Sequence, residues 1–240
     1  MTTECMVDQF FVPLPQRDES LQKWSPRRNA KARIPDTLPA AAGVLPFTVH
    51  DGKVYLLLGR EAHRPGFHSG GLYADFGGGV TNKCRTSIEC AAQELQEESF
   101  KSLMDVSLDD MVRFIRENVW LVVSSQYGKK APYHMYCVMF PFFDVESIFN
   151  RRIVVARRFR LQNDGCSDPE RLRLKQQVPE AFQINGRVRK AYLEKSEIKW
   201  FSIKAAKKLP MRDEFEKTLV SFKVLEHLEE VLEHLGALSH

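Results

Sequence analysis

Three glutamates that stand close together in the chain are the residues whose types and spacing could do chemistry. Glu94, Glu97 and Glu98 occupy positions n, n+3 and n+4, and on a helix such side chains are neighbours because the helix repeats every 3.6 residues. Like charges at this spacing repel one another unless a cation or a basic group neutralises them. Hard divalent cations such as Mg²⁺ take oxygen ligands. The cluster therefore indicates either a divalent-metal site or an acidic helix face exposed to solvent.

The elements around the glutamates favour the metal site. Thr86 to Glu89 fits a capping box, which predicts a helix that begins there and runs to about Phe100. An apolar stripe at helical spacing would be buried, and the three glutamates are expected on a separate arc. The glycines at 77–79 precede the helix, where they could present backbone carbonyls and let a phosphate chain come close.

These residues resemble the box of the Nudix hydrolases. That motif reads Gly, five residues, Glu, seven residues, Arg-Glu, an aliphatic residue, any residue, Glu-Glu, any residue, Gly and an aliphatic residue. Aligned from Gly79 to Lys101, the chain matches the first glycine, the later glutamates and the aliphatic position, and it also has two alanines typical of the family. The matching residues are Gly79, Glu94, Leu95, Glu97 and Glu98, with Ala91 and Ala92.

The chain departs from the motif at four positions. Arg85 replaces the first glutamate, Gln93 the arginine, Phe100 the second glycine and Lys101 the last aliphatic residue. In the family, the arginine holds a catalytic glutamate, and a glutamine could donate only a weaker, neutral hydrogen bond. Arg85 could offset this loss by reaching the same glutamate from another position.

The resemblance implies roles for individual residues. Glu94, Glu97 and Glu98 would be the carboxylates that bind Mg²⁺ or Mn²⁺, and Gly78 or Gly79 would offer a carbonyl. Family members often add one acid from outside the motif, as a ligand or general base. The candidates for that acid are Asp144, Glu146 and Glu197, and the candidates for phosphate binding are Arg60, Arg64 and His68.

The predicted fold is α/β. By resemblance it is a Nudix-type α/β/α sandwich around a mixed sheet, with an N-terminal arm at 1–39, the domain at 40–240 and a basic insertion at about 150–195. Asp51-Gly52 predicts a hairpin between strands 41–50 and 53–60. A second hairpin is expected from strands 119–125 and 134–143, with a helix between about 108 and 117. A late strand is predicted at 197–202, and a final helix at 213–235.

The charge distribution bears on the substrate. Arg151 to Lys195 holds twelve Lys and Arg against five Asp and Glu, a net charge of +7, whereas the remaining residues carry −3. A basic surface suits a polyanionic substrate such as capped RNA, a dinucleoside polyphosphate or a diphosphoinositol polyphosphate. An ordinary solvated basic surface is an equal alternative.

Three functions remain open. The first is an active Nudix-type pyrophosphohydrolase, possible RNA decapping included. The second is a Nudix fold that has lost catalysis and binds a nucleotide, RNA or protein, which Arg85 and Gln93 favour. The third is an unrelated α/β protein with glutamates on its surface.

The cysteines and the apolar runs of the sequence bear on the oxidation state of the thiols and on the location of the protein in the cell. The five cysteines are odd in number and lack C-x-x-C spacing, so reduced thiols are expected in place of disulfides or a zinc site. No apolar run approaches the length that crosses a bilayer, and no secretory signal is evident. An intracellular, cytoplasmic protein without membrane contact is therefore the expectation.

Overall fold

A mixed β-sheet forms the centre of the molecule in the computed structural model, which describes residues 39–64, 66, 68–80, 84–127, 131–162, 183–184, 187–188 and 190–237. The predicted arm at 1–39, except Pro39, and much of the predicted insertion at 150–195 therefore lie outside the described residues. The strands of the sheet are β1 (Ala41–His50), β2 (Lys53–Glu61), β3 (Tyr73–Ala74), β4 (Phe76–Gly79), β5 (Val119–Tyr127), β6 (Ala131–Met139) and β9 (Lys195–Ser202), and a separate small pair is formed by β7 (Gln183–Ile184) and β8 (Arg187–Val188).

Strand β1 organises the sheet because it pairs with three others. Its second half forms the predicted hairpin with β2, and its first half lies between β4, which is antiparallel, and β6, which is parallel. Strands β5 and β6 form the second predicted hairpin, and β9 adds to the far edge of β2. The sheet is therefore mixed, as predicted.

Helices cover both faces of the sheet. They are α1 (Ser87–Glu98), α2 (Leu108–Asn118), α3 (Val145–Gln162), α4 (Ile203–Ala206), α5 (Asp213–Ser221) and α6 (Val224–Ala237), with a short 3₁₀ helix at Lys190–Leu193 before β9. One core cluster contains residues of α1 to α3, and the other contains residues of α4 to α6. The predicted α/β/α sandwich is therefore confirmed.

The end of the chain differs from the prediction of one helix over 213–235. The structure has two helices, α5 and α6, separated at Phe222 and Lys223. Lys223 has a φ of 48°, which is outside the α-helical region, so the chain changes direction there. Both helices pack against the same core, so the apolar spacing continues across the break. The spacing alone therefore did not reveal where one helix ends and the next begins.

Two basic residues of the predicted insertion are internal. Helix α3 includes its beginning, where the side chain of Arg152 is 4% exposed and donates to the carbonyl of Phe100, with its guanidinium 3.2 Å from Asp105. Lys195, at the other end, is 0% exposed. These two cations hold the fold and do not contribute to a surface for a polyanion.

Candidate functional site

Helix α1 begins where the capping box places it. The Thr86 hydroxyl accepts a hydrogen bond from the Glu89 amide at 3.3 Å, and the Glu89 carboxylate accepts one from the Arg85 amide at 2.8 Å. The Arg85 guanidinium is 84% exposed and lies 3.2 Å from Glu89. Arg85 therefore extends the cap at the start of the helix, and the expectation that it compensates for Gln93 at the glutamate cluster finds no support in these contacts.

The last turn of α1 ends in a conformation that normally requires glycine. Phe100 and Lys101 have φ of 54° and 52°, a left-handed region that costs an ordinary residue roughly 1–2 kcal/mol. Phe100 is fully buried and packs against Tyr192, and Arg152 holds its carbonyl. The replacement of the motif's second glycine therefore keeps the turn, because burial of the aromatic ring offsets the strained backbone.

Gln93 occupies the position of the motif's arginine and donates a neutral hydrogen bond to a glutamate of the cluster. Its Nε2 donates to Glu97 Oε1 at 2.9 Å, one helical turn away. The Glu97 side chain is only partly buried. Glu97 is therefore oriented by a neutral hydrogen bond at a partly buried position.

Glu94 lies against the glycine strand β4. A Cβ added to Gly78 would lie 2.6 Å from Glu94 Cδ and 2.7 Å from each carboxylate oxygen. No hydrogen bond or ion pair of this carboxylate occurs within the described residues. Burial, followed by the charges of Glu97 and Glu194, raises the pKa of Glu94 to about 7. Glu94 is thus a carboxyl group poised between its two protonation states at neutral pH.

Glu98 differs from the other two glutamates. It is 3% exposed, its Oε2 accepts from the Gly77 amide at 2.8 Å, and its Oε1 lies 3.3 Å from Lys195 Nζ. Burial raises the pKa of Glu98 well above its ordinary value, although Lys195 opposes the shift. The expectation of one arc separate from the buried stripe is wrong for Glu98, because it borders Ala91 and Leu95 on the helix and enters the interior with them.

The candidates for phosphate binding lie in and beside the loop after β2. Arg64 Nη1 donates to Glu194 Oε1 at 2.9 Å, and Glu194 in turn is close enough to act on Glu94. Arg60 donates to the Gly71 carbonyl and lies 3.8 Å from Glu197, and His68 is exposed. Arg64 is thus the member of this set that the structure connects to the glutamate helix.

The three candidates for an additional acid make their described contacts elsewhere. Asp144 caps helix α3 by accepting from the Ser147 amide, and Glu146 lies 3.4 Å from Lys199. Glu197 pairs with Arg60 and raises the pKa of the Tyr73 hydroxyl, although burial is the larger cause. The acid from outside the motif that acts electrostatically on Glu94 is Glu194. The sequence did not predict this role for Glu194, because the residue is distant from α1 in the chain and approaches the helix only in the folded structure.

Buried groups extend the site toward the other face of the sheet. Lys195 donates to Glu61 Oε1 at 2.7 Å and to the Asp75 carbonyl at 3.1 Å. The Tyr133 hydroxyl donates to the Asp75 carboxylate, and burial raises the pKa of Asp75. No motif marks these residues, because they come from β2, β6, β9 and the β3–β4 link.

A metal ion would need oxygen ligands that are free to turn toward it. Within the described part of the chain, no group of three or more His, Cys, Asp or Glu side chains is arranged to hold one. Glu94, which lies against Gly78, and Glu97, whose charge acts on Glu94, nevertheless form a pair of carboxylates beside the glycine strand. Mg²⁺ is commonly bound by one or two carboxylates together with waters and substrate phosphates. The residues present therefore fit a site of this kind better than a cage of three glutamates.

The known proteins that match this chain match it through their solved structures. No protein-family model matches the chain, and no curated protein sequence matches it. Solved structures do match. Several of them are Nudix proteins. A Nudix hydrolase from M. smegmatis, RenU, is 14% identical, with 78% of this chain and 85% of that chain covered and a TM-score of 0.44.

Two further structures show the same level of similarity. The Nudix domain of Shewanella oneidensis NrtR, solved with ADP ribose, is 14% identical, covers 90% of this chain and 99% of its own, and has a TM-score of 0.41. A C. elegans Ap4A hydrolase is 14% identical, with 78% and 97% covered and a TM-score of 0.40. The titles of these three structures name the family that the motif resembles or, for the third, an Ap4A hydrolase. At such low similarity, the chemistry must be inferred from this chain's own side chains.

Two expectations about the chain as a whole can be compared with the described residues. Cys84, Cys90 and Cys137 are buried and are not joined in disulfides, whereas Cys5 and Cys166 lie outside the described residues. None of the helices in the described ranges is long and apolar enough to cross a membrane.

Proposed function

We propose that this protein is a metal-dependent pyrophosphohydrolase that cleaves a phosphoanhydride bond in a nucleoside diphosphate-linked or similarly anionic substrate. One observation carries the proposal. The Glu94 carboxylate lies against the glycine strand, without a hydrogen bond or ion pair inside the described residues, beside a second carboxylate that Gln93 orients. Two adjacent, partly buried carboxylates repel each other, and a divalent cation would relieve that repulsion.

Glu94 and Glu97 would hold Mg²⁺ or Mn²⁺, with Gly78 or Gly79 offering a carbonyl. Glu98 stays a predicted member of the site, but its two oxygens already contact Gly77 and Lys195. When bound, the metal would neutralise phosphate oxygens and lower the pKa of a coordinated water.

The chain's own residues would do the remaining work. Glu194 is the best placed acid to orient or deprotonate the attacking water, because it is near Glu94 and comes from outside the motif. Arg64, which holds Glu194, would exchange that contact for a substrate phosphate. Arg60 and His68 are further phosphate candidates on the same loop.

The substrate is proposed to be a small phosphoanhydride or capped RNA, with a dinucleoside polyphosphate as another member of the same class. The basic residues between Arg151 and Lys195 would favour the longer polyanion, apart from Arg152 and Lys195, which are internal. A steep loss of RNA binding with rising salt concentration would support capped RNA over a small nucleotide.

The test is release of phosphate or nucleotide from a panel of capped RNA, dinucleoside polyphosphates, nucleotide sugars and inositol pyrophosphates, with Mg²⁺ or Mn²⁺. Wild type is compared with Glu94→Gln, Glu97→Gln and Glu98→Gln. Glu89→Gln is the matched control, because Glu89 lies on the same helix and contacts Arg85. Metal-dependent turnover that Glu94→Gln or Glu97→Gln abolishes, and that Glu89→Gln retains, is expected.

A second function is a binding module without catalysis, for a nucleotide, RNA or protein. Gln93 supplies only a neutral hydrogen bond at the arginine position, and the pairing of Glu98 with Lys195 leaves fewer free carboxylates for metal. Nucleotide or RNA binding by a folded wild type that shows no turnover on any member of the panel would favour this function.

A further inference from the structure

A lysine that is completely enclosed joins two carboxylates next to the glutamate helix. Lys195 Nζ lies 2.7 Å from Glu61 and 3.3 Å from Glu98, and it donates to the Asp75 carbonyl at 3.1 Å. All three of these residues come from parts of the chain distant from β9. Burial alone would lower the pKa of Lys195, but Glu98 and Glu61 outweigh it and raise that pKa, so the side chain is a cation at neutral pH.

The sheet makes room for this cation. Gly59 is opposite β9 on strand β2, and a Cβ added to Gly59 would lie 2.9 Å from both Cδ and Cε of Lys195. The ammonium group also lies 5.9 Å from the centre of the Phe76 ring. The lysine side chain is therefore enclosed, and its ammonium group lies away from solvent.

Glu98 contacts both Lys195 and the glycine strand. While Oε1 faces Lys195, Oε2 accepts from the Gly77 amide at 2.8 Å. The neighbouring glycine, Gly78, is the one that contacts Glu94. The contacts Lys195–Glu98–Gly77 therefore connect β9, α1 and β4 next to the position of Glu94.

We propose that Lys195, on strand β9 and outside the motif, is a positioning residue that fixes helix α1 against the glycine strand through Glu98 and the Gly77 amide. The inference rests on the proposed function. Gln93 is neutral and cannot supply a positive charge to a glutamate of the motif. In this proposal Lys195, on the last strand, supplies that charge to Glu98. Gln93 orients Glu97 and Lys195 orients Glu98, so the two supports act on different carboxylates.

The competing explanation is that Lys195 only stabilises the fold. Lys195→Met leaves Glu98 buried without the cation beside it and leaves Glu61 with Arg212 Nη1 at 3.4 Å. Loss of a buried cation of this kind is strongly destabilising by itself, so the single variant does not separate the two explanations. The double variant Glu61→Gln/Lys195→Met removes one positive and one negative charge together, so the net charge of the buried cluster equals that of wild type. Loss of the Lys195–Glu98 contact can then be measured in a folded protein.

Three measurements are made on wild type and on the double variant. They are kcat and KM on the best substrate of the panel, Mn²⁺ affinity by electron paramagnetic resonance without substrate, and amide hydrogen exchange at Gly77. We expect kcat and Mn²⁺ affinity to fall by about 10- to 100-fold, KM to change by less than about twofold, and Gly77 to exchange faster. Lys199→Met is the control, because Lys199 is on the same strand but its side chain is 47% exposed.

The outcomes separate the two proposals. A double variant with wild-type kcat, Mn²⁺ affinity and exchange at Gly77 would overturn the positioning role while leaving the hydrolase intact. If wild type shows no turnover, the proposed function fails, and weaker Mn²⁺ binding with faster Gly77 exchange in the variant would still support Lys195 as the residue that positions the site. Equal losses in Lys199→Met and in the double variant would also overturn the inference.

Discussion

The Glu94 carboxylate and the Gly78 backbone are in direct contact: a Cβ at position 78 would lie 2.6 Å from Glu94 Cδ. The contact joins helix α1 to the glycine strand at the point where a metal and a phosphate chain are proposed to meet. It explains why this position needs glycine even though its backbone φ is not in the left-handed region. The requirement is for space alone.

Gly78→Ala should therefore displace the Glu94 side chain without unfolding the protein. The carboxylate is the far end of a flexible side chain and can turn away, so we expect the melting temperature to change little, while Mn²⁺ affinity falls by about tenfold or more. Gly77→Ala is the contrast, because its Cβ would lie 2.8 Å from the Gly43 Cα, and backbone must move. A stable Gly77→Ala variant together with an unfolded Gly78→Ala variant would contradict this interpretation.

Glu94 should make the stability of the metal-free protein depend on pH. Its folded-state pKa of about 7 is above the ordinary value of 4.5, so the folded state binds the proton more tightly than the unfolded state does. The free energy of unfolding should fall as pH rises from about 4.5 to about 7, by up to about 3 kcal/mol from this group. Urea unfolding in the presence of EDTA, at intervals of pH, measures it.

Glu94→Gln supplies the control for that pH series. Glu98 and Asp75 also have raised pKa values and act in the same direction, so the difference between wild type and the variant is the relevant quantity. A difference that stays constant between pH 4.5 and pH 7 would show that Glu94 has an ordinary pKa.

Gln93→Leu should weaken catalysis more than substrate binding. The substitution removes the hydrogen bond from Gln93 to Glu97, and a neutral hydrogen bond contributes about 1 kcal/mol. We expect kcat to fall about five- to tenfold, with KM nearly unchanged, in steady-state assays on the substrate that wild type prefers. An unchanged kcat would mean that Glu97 is held by other contacts.

Arg85→Ala should leave turnover at the wild-type level. The guanidinium is 84% exposed and contacts Glu89, and an exposed pair of this kind contributes at most about 1 kcal/mol to stability. The measurement is kcat beside the thermal unfolding of the same sample. A large loss of kcat with normal stability would show that Arg85 reaches the glutamate cluster after all.

Phe100→Gly should destabilise the protein although it restores the glycine of the motif. The glycine would relieve about 1 kcal/mol of backbone strain at a φ of 54°, but loss of the buried ring costs about 3 kcal/mol or more. A net loss of roughly 2 kcal/mol in the free energy of unfolding is expected from urea titration. A more stable variant would mean that the strained backbone outweighs the packing of the ring.

The sequence alone determined the elements that depend on local signals. Asp51-Gly52 fixed the first hairpin, the Thr86 cap fixed the start of α1, and the apolar spacing fixed which face of α1 is buried. Each of these signals acts within a few residues, so that no distant partner is needed to interpret it. The break between α5 and α6 was not predicted, because both helices pack against one core and the apolar spacing continues across it.

Only the tertiary structure decided how the three glutamates divide their roles. Glu94 faces Gly78, Glu97 accepts from Gln93, and Glu98 is paired with a lysine nearly a hundred residues away. Lys195 and Glu194 are adjacent in the chain, yet one is sealed in the interior and the other lies beside Arg64. Burial and charge pairing depend on which strands and loops meet in space, and the spacing of residues along the chain carries no record of that.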